Sequence, residues 1–335
     1  MASVCNGAKH WITRLLTYEP ESGKAYRKIL GKYNGFYEKL AEIQPTLKWQ
    51  GCRIFTPSTP DFTYGRVKEE WDGWSYCVLE RLGLPMYYSR EMGGALCLEG
   101  DADSRMSDDE IIKALSGTVL LASDTAKNLE ARGFSKYTGV SVRKWQGKTP
   151  IKEKFSNGKL ANIQKKTMEL VPLYDSVKID SRATNTVDGE NYEELFPAVT
   201  VFENSLGGTV ITFSGTPVAD FNLVDAFSFL TYSRKQQLIS LLAPTGNLPI
   251  YYPGDEEVYL KVAKTQSGEY LAAIFNIGLD PIENIDLVCD FTPKAVKILT
   301  PNGEINEIPF TYENGKISVD VGAKTLEPVV LFVDK

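Results

Sequence analysis

The feature that most constrains the fold lies in one run, ALCLEGDADSRMSDDEIIKALSGTVLLASDTAKNLEARGF, over residues 95–134. ALCLE is a short apolar stretch of strand length. After it, Ser107 stands as an N-cap with Glu110 three residues on, the pattern of a capping box, and Asp108 and Asp109 favour the positive end of a helix dipole. Gly117 follows as a stop. TVLLA, from Thr118 to Ala122, reads as a second buried strand, and Ser123 caps a further helix that ends at Gly133. Strand, helix, strand, helix over so few residues implies parallel strands, because a helical crossover returns the chain to the same end of a sheet. CRIFT (52–56) and MYYS (86–89) supply further strands, and EEWDGWSYCVLERL (69–82) reads as a helix. The fold class expected is therefore α/β, with an open, mainly parallel sheet carrying helices on both faces.

The flanks differ. At the start, residues 8–16 read as a buried strand, and TYEPESG is a turn-rich link. SGKAYRKILGKYNGFYEKLAEIQP then places Tyr26, Ile29, Leu30, Tyr33, Phe36, Tyr37, Leu40 and Ile43 at helical spacing, with Pro45 as a stop. A single β/α unit of this kind cannot bury its faces alone. From Gly139 onward β-rich segments such as AVTVFEN and GTVITFSG take over. Residues 151–194 read as a hairpin elaboration or insertion, and 225–242 as a helix packing back on the sheet. The last part reads as strands at 258–264, 270–276, 285–289, 295–299, 308–313, 316–321 and 328–333. Ser267-Gly268, Asn302-Gly303 and Asn314-Gly315 turn between them, as in a small antiparallel sandwich. Three domains are expected: 1–47, 48–248 and 249–335.

Composition excludes several functions. The formal net charge is -6 and no long basic run occurs, which argues against a phosphate-backbone partner. No apolar stretch reaches the roughly 18 residues that span a bilayer, and the N-terminus carries no signal-peptide pattern, so no membrane partner and a cytoplasmic location are expected. The five cysteines (Cys5, Cys52, Cys77, Cys97, Cys289) are scattered and there is one histidine, His10. That set makes no zinc cluster, so no metal is expected, and it reads as reduced thiols. Cys97 in GALCLEG lacks the second glycine of a nucleophile elbow and has no nearby histidine base. NSLGGT (204–209) lacks the lysine and spacing of a phosphate loop and reads as a turn, so no cofactor is expected. Trp11 can stack on a sugar face or pack in a core, and Arg14 can bind hydroxyl or carboxyl oxygens. Glu19 and Glu21 precede a helix, where they favour its dipole or line a site. Trp71 and Trp74, three apart, pack a helix on a sheet or bind sugar.

The order of parts resembles the C-terminal half of glycoside hydrolase family 42, the β-galactosidases, and relatives of that layout. NGAKHWITRL looks like a last TIM-barrel strand and SGKAYRKILGKYNGFYEKLAEIQP like the closing barrel helix. The run 95–134 resembles the glutamine-amidotransferase-like trimerisation domain of such hydrolases, and LEPVVLFV their terminal strand. The resemblance implies a leftover β/α unit of a TIM barrel, then an amidotransferase-like α/β domain, then a C-terminal β domain. Retaining glycosidases use two carboxylates about 5 Å apart. In this family they sit on the fourth and seventh barrel strands, so the chain is expected to begin at an internal Met and to hold no catalytic residue of its own. Trp11, Arg14 and Glu19 would then be substrate-binding wall residues. The implied role is oligomerisation, as a homo-oligomer and by the resemblance a trimer, and shaping of the rim of a site that acts on carbohydrate. The alternatives are a stand-alone carbohydrate-binding or protein-interaction module, and a degenerate amidotransferase-type enzyme using Cys97.

Overall fold

The structure, a computed structural model, describes residues 18–55, 71–98, 102–163, 167–186, 192–219 and 229–335. The expected opening strand at 8–16, with Trp11 and Arg14, lies outside the described residues, as do the first four residues of the helix expected from 225. The chain divides into two compact units, Gly51–Tyr259 and the pair of segments Met1–Gln50 and Leu260–Lys335. Among the described residues no helix is long and apolar enough to cross a membrane.

In the unit of residues 1–50 and 260–335, two helices precede a sheet. Helix α1 (Pro20–Lys32) and helix α2 (Asn34–Ile43) meet at Tyr33, where the sequence pattern predicts one continuous helix. The break has a tertiary cause. Phe36 N–H donates to the Pro301 carbonyl at 3.1 Å, outside the helix, and the Tyr33 hydroxyl pairs with Glu327. Gly35 lies so close to the 300–303 turn that a Cβ there would stand 2.2 Å from the Asn302 carbonyl oxygen. Strand β1 (Lys48–Gln50) joins β16 (Val258–Lys264), β17 (Tyr270–Asn276), β23 (Pro328–Asp334), β19 (Ala295–Leu299) and β20 (Ile305–Ile308) in a six-stranded sheet of that order. Phe36 and Leu40 of α2 bury themselves on Leu271, Ala273, Leu299, Val330 and Phe332 of that sheet. In α1, by contrast, Gly23 is the one buried residue, and Tyr26 and Ile29 are exposed. Strands β18 (Ile285–Cys289), β22 (Lys316–Val319) and β21 (Thr311–Glu313) pair antiparallel in that order.

The unit Gly51–Tyr259 is mixed α/β, built on a nine-stranded sheet. Its order is β4 (Met86–Ser89), β2 (Cys52–Phe55), β5 (Ala95–Cys97), β6 (Thr118–Leu121), β13 (Thr209–Phe213), β12 (Glu194–Glu203), β11 (Lys178–Thr184), β8 (Lys152–Phe155) and β9 (Leu160–Asn162). The sheet is mixed, where the sequence suggested a mainly parallel one. Ladders from β4 to β13 are parallel, and those from β13 to β9 are antiparallel. The physical reason is that the polar insertion at 151–194 folds into hairpin-connected strands that extend the same sheet. Strands β7 (Val140–Arg143) and β10 (Glu169–Pro172) form a separate antiparallel pair.

Alternation along the central strands divides the core in two. Cys52, Ile54, Ala95, Cys97, Leu120, Ile211 and Phe213 face a cluster that holds Leu238 and Leu242 of a later helix. Leu96, Val119, Leu121 and Val210 face the opposite cluster, with Ile111, Ala114 and Leu115 and with Ala126 and Leu129. Burial on both faces is why these strands read as continuous apolar runs.

The expected helix at 69–82 is replaced by strand β3 (Trp71–Asp72), one turn of helix α3 (Trp74–Cys77) and a 3₁₀ turn, Leu79–Arg81. Pairing of β3 with β14 (Val218–Ala219) and a bond from Gly73 N–H to the Pro217 carbonyl outcompete the local helical pattern. Trp74 is wholly buried, its ring 4.7 Å from Phe213 and 5.8 Å from Phe229. Helix α4 (Asp108–Leu115) carries the full capping box: Glu110 N–H donates to Ser107 Oγ, and Ser107 N–H donates to the Glu110 carboxylate at 2.8 Å. Those donors hold the Glu110 carboxyl below its usual pKa. Helices α5 (Ser123–Ala131), α6 (Ser135–Thr138) and α7 (Tyr232–Leu242) and the short strand β15 (Ile250–Tyr251) complete the unit. The cysteines Cys52, Cys77, Cys97 and Cys289 are buried and form no disulfide.

Two glycines four residues apart separate close approach from propensity. Gly31 has open space around its Cβ position, so Gly31→Ala gains up to about 1 kcal/mol of helix stability. Gly35→Ala drives a methyl into the Asn302 backbone and costs about 2 kcal/mol or more. Urea unfolding of both variants checks the pair; equal effects would contradict the packing described.

Candidate functional site

Adjacent basic residues at the start of α7 take two different buried environments. The helix begins at Thr231, whose Oγ1 accepts the Arg234 N–H at 3.2 Å. Arg234, 4% exposed, pairs with Glu153 of β8. Glu153 also accepts the Ser181 hydroxyl at 2.5 Å. Gln237, one turn on, accepts from Arg234 and donates to Asp180. The guanidinium lies over the rings of Phe155, Phe213 and Phe229, with centroids at 5.3, 5.1 and 5.0 Å. This group joins α7 to the antiparallel half of the sheet.

Lys235, one residue on, is 1% exposed and serves a cavity of about 110 Å³. Its Nζ donates to the Gly254 carbonyl and lies 4.9 Å from the Tyr252 ring centroid. Burial pulls its pKa down to about 8, against the opposing attraction of Glu256 and Asp255. The acidic wall is the segment Asp255, Glu256 and Glu257. Arg81 holds Glu257 with both oxygens at 2.8 Å from one guanidinium nitrogen, and Tyr252 donates its hydroxyl to Glu256 at 2.7 Å. Leu82, Leu230, Thr231 and Tyr232 complete the lining, with Tyr232 45% exposed.

The wall is anchored to the turn at 79–83. Tyr252 N–H donates to the Gly83 carbonyl at 3.0 Å, and Leu82 bridges Val258. Gly83 has φ +66°, and a Cβ there would stand 2.7 Å from the Tyr252 Cβ, so only glycine admits this approach.

Of the site residues proposed from sequence, the one among the described residues, Glu19, does not line this cavity. Glu19 is exposed, precedes α1 without a side-chain cap bond, and belongs to the other unit. Trp11 and Arg14 lie outside the described residues. Cys97 is fully buried in the middle of the sheet, where a thiol meets no substrate. Trp74 packs in the core, and Trp145 lies 5.0 Å from Phe196 with its ring N–H on the Lys148 carbonyl. Among the described residues no group of three or more His, Cys, Asp or Glu is placed to hold a metal. The signal that marks the cavity in the sequence is PGDEE (253–257), a turn followed by three acids. A lysine on an amphipathic helix gives no sign of its burial.

Two measurements test these environments. Glu153→Gln or Arg234→Met leaves a buried charge without its partner and costs about 3–5 kcal/mol; the double change to apolar residues costs less. A double variant as unstable as the singles would contradict the pairing. For Lys235 the folded pKa lies below the usual 10.5, so between about pH 8 and 10.5 the unfolded chain binds more protons and stability rises with pH. Relative to Lys235→Met, the wild type gains on the order of 3 kcal/mol across that window. Parallel urea-melt profiles of the two proteins would refute the assignment.

No family model matches the sequence, and no curated protein matches it. Among solved structures, the fold is similar to that of α-L-fucosidase isoenzyme 2 from Paenibacillus thiaminolyticus, with a TM-score of 0.55 at 12% identity. The likeness covers 93% of this chain and 51% of the fucosidase, so the chain spans about half the length of that protein. A rhamnosidase from Novosphingobium sp. PP1Y is similar over 90% of this chain and 24% of its own, at a TM-score of 0.43 and 9% identity, too low to add to the argument. At such identities the likeness is one of fold: the chain has a glycoside-hydrolase-like fold.

Proposed function

We propose that this chain is the non-catalytic C-terminal portion of a carbohydrate-active glycoside hydrolase. Its role is to assemble a homo-oligomer and to shape the rim of an active site contributed by a barrel. The observation that carries the reading is the fold likeness to a fucosidase, which takes in 93% of this chain but only 51% of that one. The mixed α/β unit is read as the amidotransferase-like trimerisation domain, the C-terminal strands as the terminal β domain, and the segment to residue 47 as the last β/α unit of a TIM barrel. The layout is that of family 42 and its relatives. Tyr26 and Ile29 on α1 and the neighbouring Tyr37 are exposed, which suits a helix with an apolar face to be covered. Location in the cytoplasm belongs to the same reading.

Purified and assayed against nitrophenyl galactosides, fucosides, rhamnosides and arabinofuranosides, the chain turns over none of them. Light scattering after size exclusion gives a multiple of 37.3 kDa, threefold for a trimer. Turnover of any glycoside overturns the non-catalytic role, and a monomer at micromolar concentration overturns the assembly role.

A further inference from the structure

We propose that the Lys235 cavity binds one ring of a neutral saccharide. Three carboxylates, Asp255, Glu256 and Glu257, repel an anion. A buried ammonium repels a cation from the floor of the same cavity, and Arg81 stands beside it. What such a lining accepts is a neutral molecule that donates and accepts hydrogen bonds at several points, which describes a polyol.

The polar groups are placed for that exchange. Among the described residues Lys235 Nζ makes one hydrogen bond, to Gly254, and lies 4.9 Å from the Tyr252 ring centroid, which leaves donor capacity for a ligand. The Asp255 carboxylate accepts no hydrogen bond from any described residue. Glu256 uses one oxygen for Tyr252 and keeps the other. Carboxylate and ammonium side by side match the alternating hydroxyls of a sugar ring, each hydroxyl giving one bond and taking another. Apolar surface is present as well. Tyr232, 45% exposed, lines the cavity with Lys159 Nζ 5.8 Å from its ring centroid on one face, and Leu82 and Leu230 line it as well, which suits the C–H face of a pyranose against the remaining ring face. The cavity of about 110 Å³ admits several water-sized groups, so it takes one ring rather than a chain. The acidic segment is fixed to the 79–83 turn by Arg81 and Tyr252, so the acceptors are in position before a ligand arrives. The reading of the chain as part of a carbohydrate-active protein enters only in choosing sugars as the polyol.

The full chain is titrated with methyl β-galactoside, methyl α-fucoside and methyl α-rhamnoside, followed by saturation-transfer NMR. Spermidine and inorganic phosphate serve as charged comparators. At least one methyl glycoside binds in the millimolar range. Asp255→Asn and Tyr232→Ala, both surface changes, each weaken it by about tenfold, one strong polar contact or one ring face apiece, with melting temperatures unchanged. Lys235→Met weakens it further, and circular dichroism shows whether that variant folds. Four outcomes overturn the proposal. These are no glycoside binding up to about 50 mM, binding that both surface variants leave intact, binding of spermidine in place of sugar, and binding of phosphate in place of sugar. None of these readouts involves turnover or oligomer mass, so the site and the hydrolase reading fail separately.

Discussion

The ion pair between Arg234 and Glu153 is the constraint on which the rest of the α/β unit depends. Both side chains are almost wholly removed from water, at 5% and 3% exposure. Desolvating two charges costs several kcal/mol each, and attraction alone seldom repays it. Here the carboxylate also accepts Ser181, the guanidinium also serves Gln237, and three phenylalanine rings surround it. The pair therefore contributes position more than net stability. It sets the rotation of α7 about its own axis, because a guanidinium with these partners tolerates no other register.

That rotation decides where Lys235 goes. Successive helix residues are turned by about 100°, so fixing Arg234 toward the sheet carries Lys235 around toward the 252–257 segment. Leu238 and Leu242 continue the inward face, one and two turns beyond Arg234. A cationic floor under an acidic wall is thus a by-product of how the helix docks. The wall is independently tied by Arg81 and Tyr252 to the 79–83 turn. Two unrelated sets of contacts meet at one cavity, which gives its polar groups fixed positions.

How much of this was legible in the sequence depended on the range over which each signal acts. The capping box of α4 and the strand before α5 follow from residues within a few positions of one another, and they stand where the pattern put them. Strands β16 to β19 likewise follow from alternation between local turns. The helix expected at 69–82 fails because its competitor, the strand at 218–219, is about 145 residues away in sequence, and separation in sequence does not weaken a ladder once formed. The break at Tyr33 fails for the same reason, since its partners are Pro301 and Glu327. Glu19 was singled out because acids before a helix serve both chemistry and the dipole; the structure shows it exposed and without a side-chain bond capping α1. Only the acidic side of the cavity leaves a mark in the sequence, as PGDEE; the lysine in SRKQQ reads as a solvated charge, and only the docking of α7 makes it a buried one.

Fold and site therefore carry different kinds of inference. A likeness spread over nearly the whole chain at 12% identity fixes the arrangement of layers and says nothing of which side chains meet a ligand. The cavity does the reverse. Its chemistry follows from a handful of residues whose positions are set by burial and hydrogen bonds inside one unit, and it would stand on any scaffold that held them there. Lys235 connects the two levels. Burial lowers its pKa to about 8, although the acidic wall of Asp255 and Glu256 opposes that shift.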